Sequence, residues 1–246
     1  MNNTFDFKRF NQVVAYDWKR FIHNFGITLL VWISMPVMFW VTSLVFDFVL
    51  EPFLRIFIIS ALMVITVMLA PSRIYGKANL PREGVGFAML PATNLEKFFS
   101  MFLYCSILTP LVTVIGSWLV DCLMTLLPFG GFREFIPLNL PTDYFGYIVT
   151  TVISIIVTVW AESSIFMFGN MVFKRRKTGK TFGWYLLIHF TLVLLLQLTN
   201  AWPLIDRIFS SDHDSIANLW IYNAILLVIA CGFYYGTYRK IKNQKY

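Results

Sequence analysis

The chain has 246 residues, of which 58% are hydrophobic, 18% are aromatic and only 13% are charged, and its formal net charge is +7. Soluble domains average roughly 45–50% apolar and about 25% charged residues, so a soluble fold of this size could not bury this much apolar surface, and the excess is expected to face lipid. The positive charge is then typical of the Lys and Arg residues that membrane proteins keep in cytoplasmic loops, and no nucleic-acid partner is expected.

The amino-terminal stretch at 5–25 is amphipathic rather than uniformly apolar. Apolar residues recur there at three- and four-residue steps, which puts them on one stripe of a helix: Phe7, Phe10, Val14, Trp18, Phe21 and Phe25. The opposite side carries Lys8, Arg9, Gln12, Lys19, Arg20 and His23. An aromatic stripe backed by a basic face is typical of a helix that lies in the cytoplasmic membrane surface. A helix packed against a soluble partner is the alternative.

Six apolar segments follow, and a bilayer crossing takes about 20 mostly apolar residues. They cover about residues 25–46, 53–73, 94–127, 144–173, 181–205 and 217–238. The second segment has only 17 consecutive uncharged residues, at 56–72, and is borderline alone, but Arg55 and Arg73 at its two ends can extend toward the membrane surface. Pro36 and Pro110 fall within spans and can kink their helices.

The distribution of basic residues predicts the topology. Of the 20 Lys and Arg residues, 17 fall in the amino terminus, the loops 73–97 and 174–180, and the carboxy tail. Because cytoplasmic loops carry the excess of Lys and Arg, both termini and these two loops are predicted to be cytoplasmic. The fold class is therefore predicted to be all-α: a polytopic protein of the cytoplasmic membrane. Its single transmembrane domain, residues 1–246, has six transmembrane helices after the interfacial helix.

The loop 73–97 is the longest predicted cytoplasmic connection. Its Pro and Gly residues prevent one long helix, whereas Thr93 and Glu96 match the capping-box pattern. The third span is therefore predicted to begin inside the cytoplasm, at about Thr93. This pattern fits two interpretations equally well: a well-formed helix start, or a surface on which another protein pushes.

The same loop carries a resemblance to a known family. The segment FAMLPATNLEKFFSMFL at 87–103 resembles the second-to-third loop of ATP-binding-cassette (ABC) exporter permeases of the second type, and also bacterial permease-like membrane proteins with an LPATNLEKF-like string. In the ABC family an interfacial "elbow" helix precedes six spans, and this loop engages the ATPase subunit. The resemblance implies a homo- or heterodimer with a separate ATPase subunit. It also implies a set of partner-coupling residues: Pro91, Thr93, Asn94, Glu96 and Lys97.

No motif for catalysis, a cofactor or a metal is recognised. The tetrapeptide Thr178–Thr181 looks like the end of a phosphate-binding loop, but that motif needs a glycine at position 174, where this chain has Lys174. The three cysteines lie within apolar runs and lack metal-ligand spacing. The chain is therefore predicted not to be an enzyme and to need no cofactor.

Three polar residues inside the predicted spans are candidate functional residues. Glu162 is placed about 18 Å from the cytoplasmic end of its span, at about 1.5 Å per residue, where an acid costs about 2.5–3.5 kcal/mol. It either lines a cavity or senses a substrate or proton, or it is neutral or hydrogen-bonded to a neighbouring helix through a residue such as His189, Gln197 or Asn200. Asp121 is predicted near the outer surface, and His189 is predicted to make an interhelical hydrogen bond.

The leading hypothesis is the permease subunit of an ABC-type transporter that moves an unknown substrate with a separate ATPase. The alternative is a non-transporting integral membrane scaffold or assembly protein, and a third possibility is an ion- or proton-coupled carrier. Substitution of Glu162 discriminates, because only a transporter is expected to lose activity without losing the protein.

Overall fold

The computed structural model describes residues 5–80, 84–127, 129–132, 134–136, 145–198 and 215–243. These residues form helices and connections, with no strand among them. Five helices in this part of the chain are long and apolar enough to cross a membrane. Because a chain in lipid must satisfy its backbone polar groups internally, and helices do so, the protein is an all-α polytopic membrane protein, which confirms the predicted fold class.

The chain divides into two compact units, unit 1 (Met1–Asn139) and unit 2 (Leu140–Lys245). The helices of unit 1 are α1 (Phe7–Ile33), α2 (Met35–Phe46), α3 (Pro52–Ile74), α4 (Val85–Ala88), α5 (Asn94–Phe102) and α6 (Thr109–Thr125), with a π-helical turn (Leu103–Leu108) between the last two. Those of unit 2 are α7 (Phe145–Val172), α8 (Lys177–Leu198) and α9 (Ser215–Lys242). The predicted span 181–205 coincides with α8 as far as Leu198, and its remainder lies outside the described residues, so the count of six spans stays a prediction.

Helix α1 runs without interruption through residue 25, the position at which the sequence divides the interfacial helix from the first span. It begins at Phe7, where the Asp6 side chain accepts a hydrogen bond from the Lys8 amide, and it continues to Ile33. The helix breaks only at Ser34, two residues before Pro36, because proline has no N–H to donate and its ring crowds the carbonyl of the preceding turn. The predicted interfacial segment and the start of the predicted first span are therefore parts of one continuous helix, and the division between them at residue 25 stays a prediction.

The face of α1 that packs inside unit 1 differs in part from the predicted aromatic stripe. Of the predicted membrane-facing stripe, Phe21 and Phe25 are instead buried against the rest of unit 1, whereas Phe7 and Trp18 are 73% and 47% exposed. The packed residues follow four-residue steps, and the fully buried Asp17 is one of them. One side of α1 thus holds the protein together, while large aromatic side chains remain on its outer surface.

The third predicted span has an irregular helical turn just before Pro110. The turn that precedes it widens into the π-helical turn, and the Thr109 hydroxyl donates to the Tyr104 carbonyl at 2.7 Å. A proline removes one backbone donor, and a π-turn with a side-chain hydroxyl is one way for a helix to continue past that gap. Pro36 and Pro110 therefore each lie beside a helix irregularity, whereas α3 continues through Pro71.

Unit 2 is held by close approach of small residues and by a few polar ties. A Cβ on Gly236 of α9 would lie 2.9 Å from the Phe168 ring of α7, and a Cβ on Gly169 would meet the Thr181 side chain of α8. Between α9 and α7, Asn223 donates to the Ser154 hydroxyl at 2.9 Å. Small residues and interhelical hydrogen bonds are the usual means of helix association in lipid.

Candidate functional site

The connection between α3 and α5, residues 75–93, ends in the capping box that the sequence predicts. The Thr93 hydroxyl accepts from the Glu96 amide at 3.3 Å, and the Glu96 carboxylate accepts from the Thr93 amide at 2.8 Å. Helix α5 begins at Asn94. The start of this helix is therefore fixed by its own local residues.

Glu96 also joins α5 to the beginning of α1. Its Oε1 accepts from the Asp6 amide at 2.9 Å and lies 3.2 Å from the Arg9 guanidinium. The side chain is completely buried, so both carboxylate oxygens are used inside unit 1. Charge-assisted hydrogen bonds of this kind are strong. Glu96 therefore does not present itself to a partner, as the partner-coupling interpretation expects, but holds α1 against α5.

A second buried carboxylate, that of Asp17, joins three helices of unit 1. Asp17 of α1 accepts from the Ser100 hydroxyl of α5 at 2.6 Å and from the Tyr75 hydroxyl at the end of α3 at 2.8 Å. Burial and the nearby Asp17 charge raise the pKa of Tyr75 well above its ordinary value, so the phenol keeps the proton that it donates.

The sequence reasoning missed this cluster of Asp17, Tyr75 and Ser100. The available signal is that Asp17 stands between Val13 and Phe21 at four-residue steps, where an acid on an otherwise apolar face needs a partner.

The outer part of the same connection is anchored by one aromatic side chain. Phe87 of α4 is 2% exposed, and its ring lies 6.2 Å from the Tyr75 ring and 5.5 Å from the Lys97 Nζ. Cation–π contacts of this geometry are attractive. Met89, two residues further on, is 78% exposed. The loop is thus packed against its neighbours through Phe87 and exposes an apolar side chain at its tip.

The five predicted partner-coupling residues therefore have different roles in the structure. Glu96 and Lys97 are buried and serve the packing of the loop. Thr93 and Asn94 are half-buried, and only Pro91 is exposed. Among the described residues of this loop, Met89 and Pro91 offer a partner an exposed surface, and the charged pair Glu96 and Lys97 does not.

Asp121 forms a buried ion pair at the opposite end of α3. Its carboxylate lies 2.9 Å from the guanidinium of Arg55, and the two side chains are 1% and 2% exposed. Arg55 donates in addition to the Thr125 hydroxyl at 3.1 Å and to the Glu134 carbonyl, and it lies 4.7 Å from the Phe132 ring. The Arg55 side chain is therefore turned into unit 1, where Asp121 matches its charge, and does not extend toward the membrane surface.

A cavity of about 520 Å³ lies beside this ion pair, and its lining includes Thr125, Phe132, Ser43 and Asp47. Thr125 and Phe132 are also contacts of Arg55. The ion pair therefore braces one wall of the cavity.

Glu162 has a single hydrogen-bond partner among the described residues. Its Oε1 accepts from the Tyr185 hydroxyl of α8 at 2.7 Å, whereas its Oε2 is buried without a partner. The expected bond to His189 is replaced by this one: His189 is exposed, its ring centroid lies 4.3 Å from that of Tyr185, and its Nδ1 lies 3.2 Å from the Tyr185 carbonyl. Gln197 is exposed, and Asn200 lies outside the described residues.

The turn between α7 and α8 carries exposed cations, namely Lys174, Arg175 and Arg176. Lys177 at the start of α8 is instead buried, and burial lowers its pKa to about 8. Within the described part of the chain, no group of three or more His, Cys, Asp or Glu side chains is arranged to hold a metal ion.

The fold and these residues define an integral membrane protein. Unit 1 has a loop that is packed against its helices and exposes an apolar tip, and it also has a buried ion pair. Unit 2 has a carboxyl group within a spanning helix, and this group accepts one hydrogen bond. Comparisons with protein-family models, with curated proteins and with solved structures found no match.

Proposed function

We propose that the chain is the permease subunit of an ABC-type transporter in the cytoplasmic membrane. The α3–α5 loop and both termini lie in the cytoplasm, and the loop receives the movement of a separate ATPase subunit. The observation that carries this proposal is the attachment of the loop: an exposed tip at Met89 and Pro91 is tied by buried contacts to α1, α3 and α5.

A coupling element needs a contact surface and a stiff connection, and the loop has both. Met89 is largely exposed and apolar, as the central anchor of a protein interface is. Behind it, Phe87 is buried against Tyr75, so a force on the tip reaches the end of α3. Since packed interiors deform little, such a force moves the packed elements together rather than bending the loop.

The two carboxylates explain why α1 would follow the same movement. Glu96 connects α5 to residues at the start of α1, and Asp17 connects α1 to both α3 and α5. These contacts couple three helices to one loop. A protein whose only task is to anchor other proteins does not need this coupling, which is why the arrangement supports transport over the scaffold hypothesis.

Photocrosslinking in membranes tests the contact directly. A photoreactive amino acid at position 89 is expected to crosslink to a protein that carries a phosphate-binding loop. The matched control is position 126, because Leu126 is a comparably exposed apolar residue, 66% exposed, at the opposite end of unit 1. Equal crosslinking at both positions, or none at 89, would contradict the proposal.

A second experiment separates transport from scaffolding. The gently solubilised complex is assayed for ATP hydrolysis and for its subunit composition, with the wild-type chain and with Met89→Asp. A permease is expected to purify with two copies or with a sibling chain, and to lose the ATPase on introduction of the charge. A scaffold would yield a complex in which hydrolysis is absent.

A further inference from the structure

Two acidic residues within membrane-spanning helices, Asp121 in unit 1 and Glu162 in unit 2, differ in how their charges are matched. Asp121 has Arg55 at 2.9 Å. Among the described residues, Glu162 has only the Tyr185 hydroxyl as a hydrogen-bond donor. One acid is thus neutralised by a permanent cation of the same unit, and the other is not.

The apolar parts of the helices of unit 2 supply no permanent cation for Glu162. It is the only Asp, Glu, Lys or Arg within residues 145–172, and the segments 181–198 and 215–238 contain none. The titratable groups that face it among the described residues are Tyr185 and His189 of α8, and Tyr222 of α9 interacts with Tyr185 in turn. An unpaired carboxylate in this setting is strongly disfavoured relative to the neutral acid.

The hydrogen bonds of Glu162 fit the neutral acid. An ionised carboxylate has about four acceptor sites to satisfy, whereas the protonated group needs fewer acceptor contacts because one oxygen carries a proton. Here Oε1 accepts one hydrogen bond, and Oε2 is buried without a partner. An ionised carboxylate would therefore leave about three acceptor sites unmet, whereas a protonated group with its carbonyl oxygen at Oε1 leaves chiefly the single donor at Oε2.

We propose that Glu162 is a proton-binding site of unit 2. It holds one proton at neutral pH, with Tyr185 donating to its other oxygen, and it exchanges that proton through His189. The ring centroids of His189 and Tyr185 lie 4.3 Å apart, and His189 is exposed, so the imidazole can be reached from outside the unit. This site belongs to unit 2 and the proposed ATPase contact to unit 1, and its test does not require a partner.

Labelling with dicyclohexylcarbodiimide tests the proposal, because this hydrophobic reagent adds to protonated carboxyl groups in apolar surroundings. The full-length protein in phosphatidylcholine nanodiscs is treated at about pH 6 and about pH 9, and its peptides are analysed by mass spectrometry. An adduct is expected on Glu162 and not on Asp121, and it should decrease severalfold at the higher pH. The Arg55→Gln variant, in which Asp121 loses its cation, shows whether the reagent reaches an unpaired carboxyl group. The proposal is overturned if Asp121 becomes reactive in that variant at pH 6 while Glu162 stays unmodified.

Infrared spectroscopy gives an independent readout that needs no reagent. The carbonyl band of a protonated carboxyl group is expected in the wild-type protein and should be absent in Glu162→Gln, which keeps nearly the same shape. After transfer to heavy water, the shift of this band should be several times slower in His189→Gln than in His23→Gln, a matched control in α1. Identical spectra for the wild type and Glu162→Gln would refute protonation, and equal exchange rates in the two histidine variants would refute the route.

Discussion

Replacing Asp121 with asparagine removes a negative charge from a site where its partner cannot reach water. Arg55 is 2% exposed and would keep its bonds to the Thr125 hydroxyl and the Glu134 carbonyl, but neither of these groups carries charge. Removal of one partner from a buried pair typically costs about 3–5 kcal/mol, because an uncompensated charge remains in the interior. We therefore expect Asp121→Asn to lower the free energy of unfolding by about that amount.

A double variant that removes both charges distinguishes the effect of an unpaired charge from a simple loss of contacts. Replacement of a buried ion pair by apolar residues of similar volume is often neutral or stabilising by about 1–4 kcal/mol, so Arg55→Met combined with Asp121→Leu should be more stable than Asp121→Asn alone. Reversible unfolding of the purified protein in mixed micelles, followed by tryptophan fluorescence, measures all three chains. If the double variant were the least stable, the stranded-charge explanation would be refuted.

Three further changes probe the remaining contacts. Glu96→Ala should lower the free energy of unfolding by about 1–3 kcal/mol, because buried donors lose their acceptor. It should also speed backbone hydrogen exchange at the start of α1, and unchanged exchange would show that this part of the helix is held by other contacts. Gly169→Ala should cost about 1–3 kcal/mol by overpacking against Thr181. Thr181→Ala should rescue it only in part, because the Cβ at position 181 itself lies 2.8 Å from the added Cβ. Gly183→Ala should not reproduce the cost, since nothing lies within 4 Å of a Cβ there. Burial lowers the pKa of Lys177 to about 8, against 10.5 in the unfolded chain, so between these pH values the unfolded chain binds more protons than the folded one. The free energy of unfolding should therefore rise with pH through that window. The rise should be smaller in Lys177→Gln, and equal slopes in the two proteins would contradict the burial effect.

The membrane fold and the start of α5 could be predicted because both depend on signals that lie close together in the sequence. A span is recognised by its run of apolar residues, and a capping box is recognised by Thr93 and Glu96, three residues apart. The sequence marks where the character of α1 changes, but it does not mark as clearly where α1 ends. A change from amphipathic to apolar character at residue 25 alters what the helix touches, but only a residue such as Pro36 interrupts the backbone hydrogen bonds.

The buried polar contacts could not be predicted, because their partners are distant in the sequence. Tyr75 and Ser100 lie 58 and 83 residues from Asp17, and Arg55 lies 66 residues from Asp121. The sequence indicates only that an acid on an apolar face needs a partner, and several hydroxyls and cations could serve. The same limit applies to Glu162, for which His189 was a reasonable candidate and Tyr185, one helical turn earlier, is the donor.

Under the proposed function, the positions of the two helix irregularities have a consequence for movement. Helices α1 and α5 are bound to each other and to the loop by Asp17 and Glu96, so their loop-proximal parts move as one piece. Beyond these contacts α1 is interrupted at Ser34, and α5 gives way to the π-helical turn at Leu103–Leu108. Proline breaks and π-turns are the places where a helix changes direction. A displacement that begins at the loop tip is therefore expected to be taken up there, so that α2 and α6 can keep their packing while the loop-proximal parts of α1 and α5 shift.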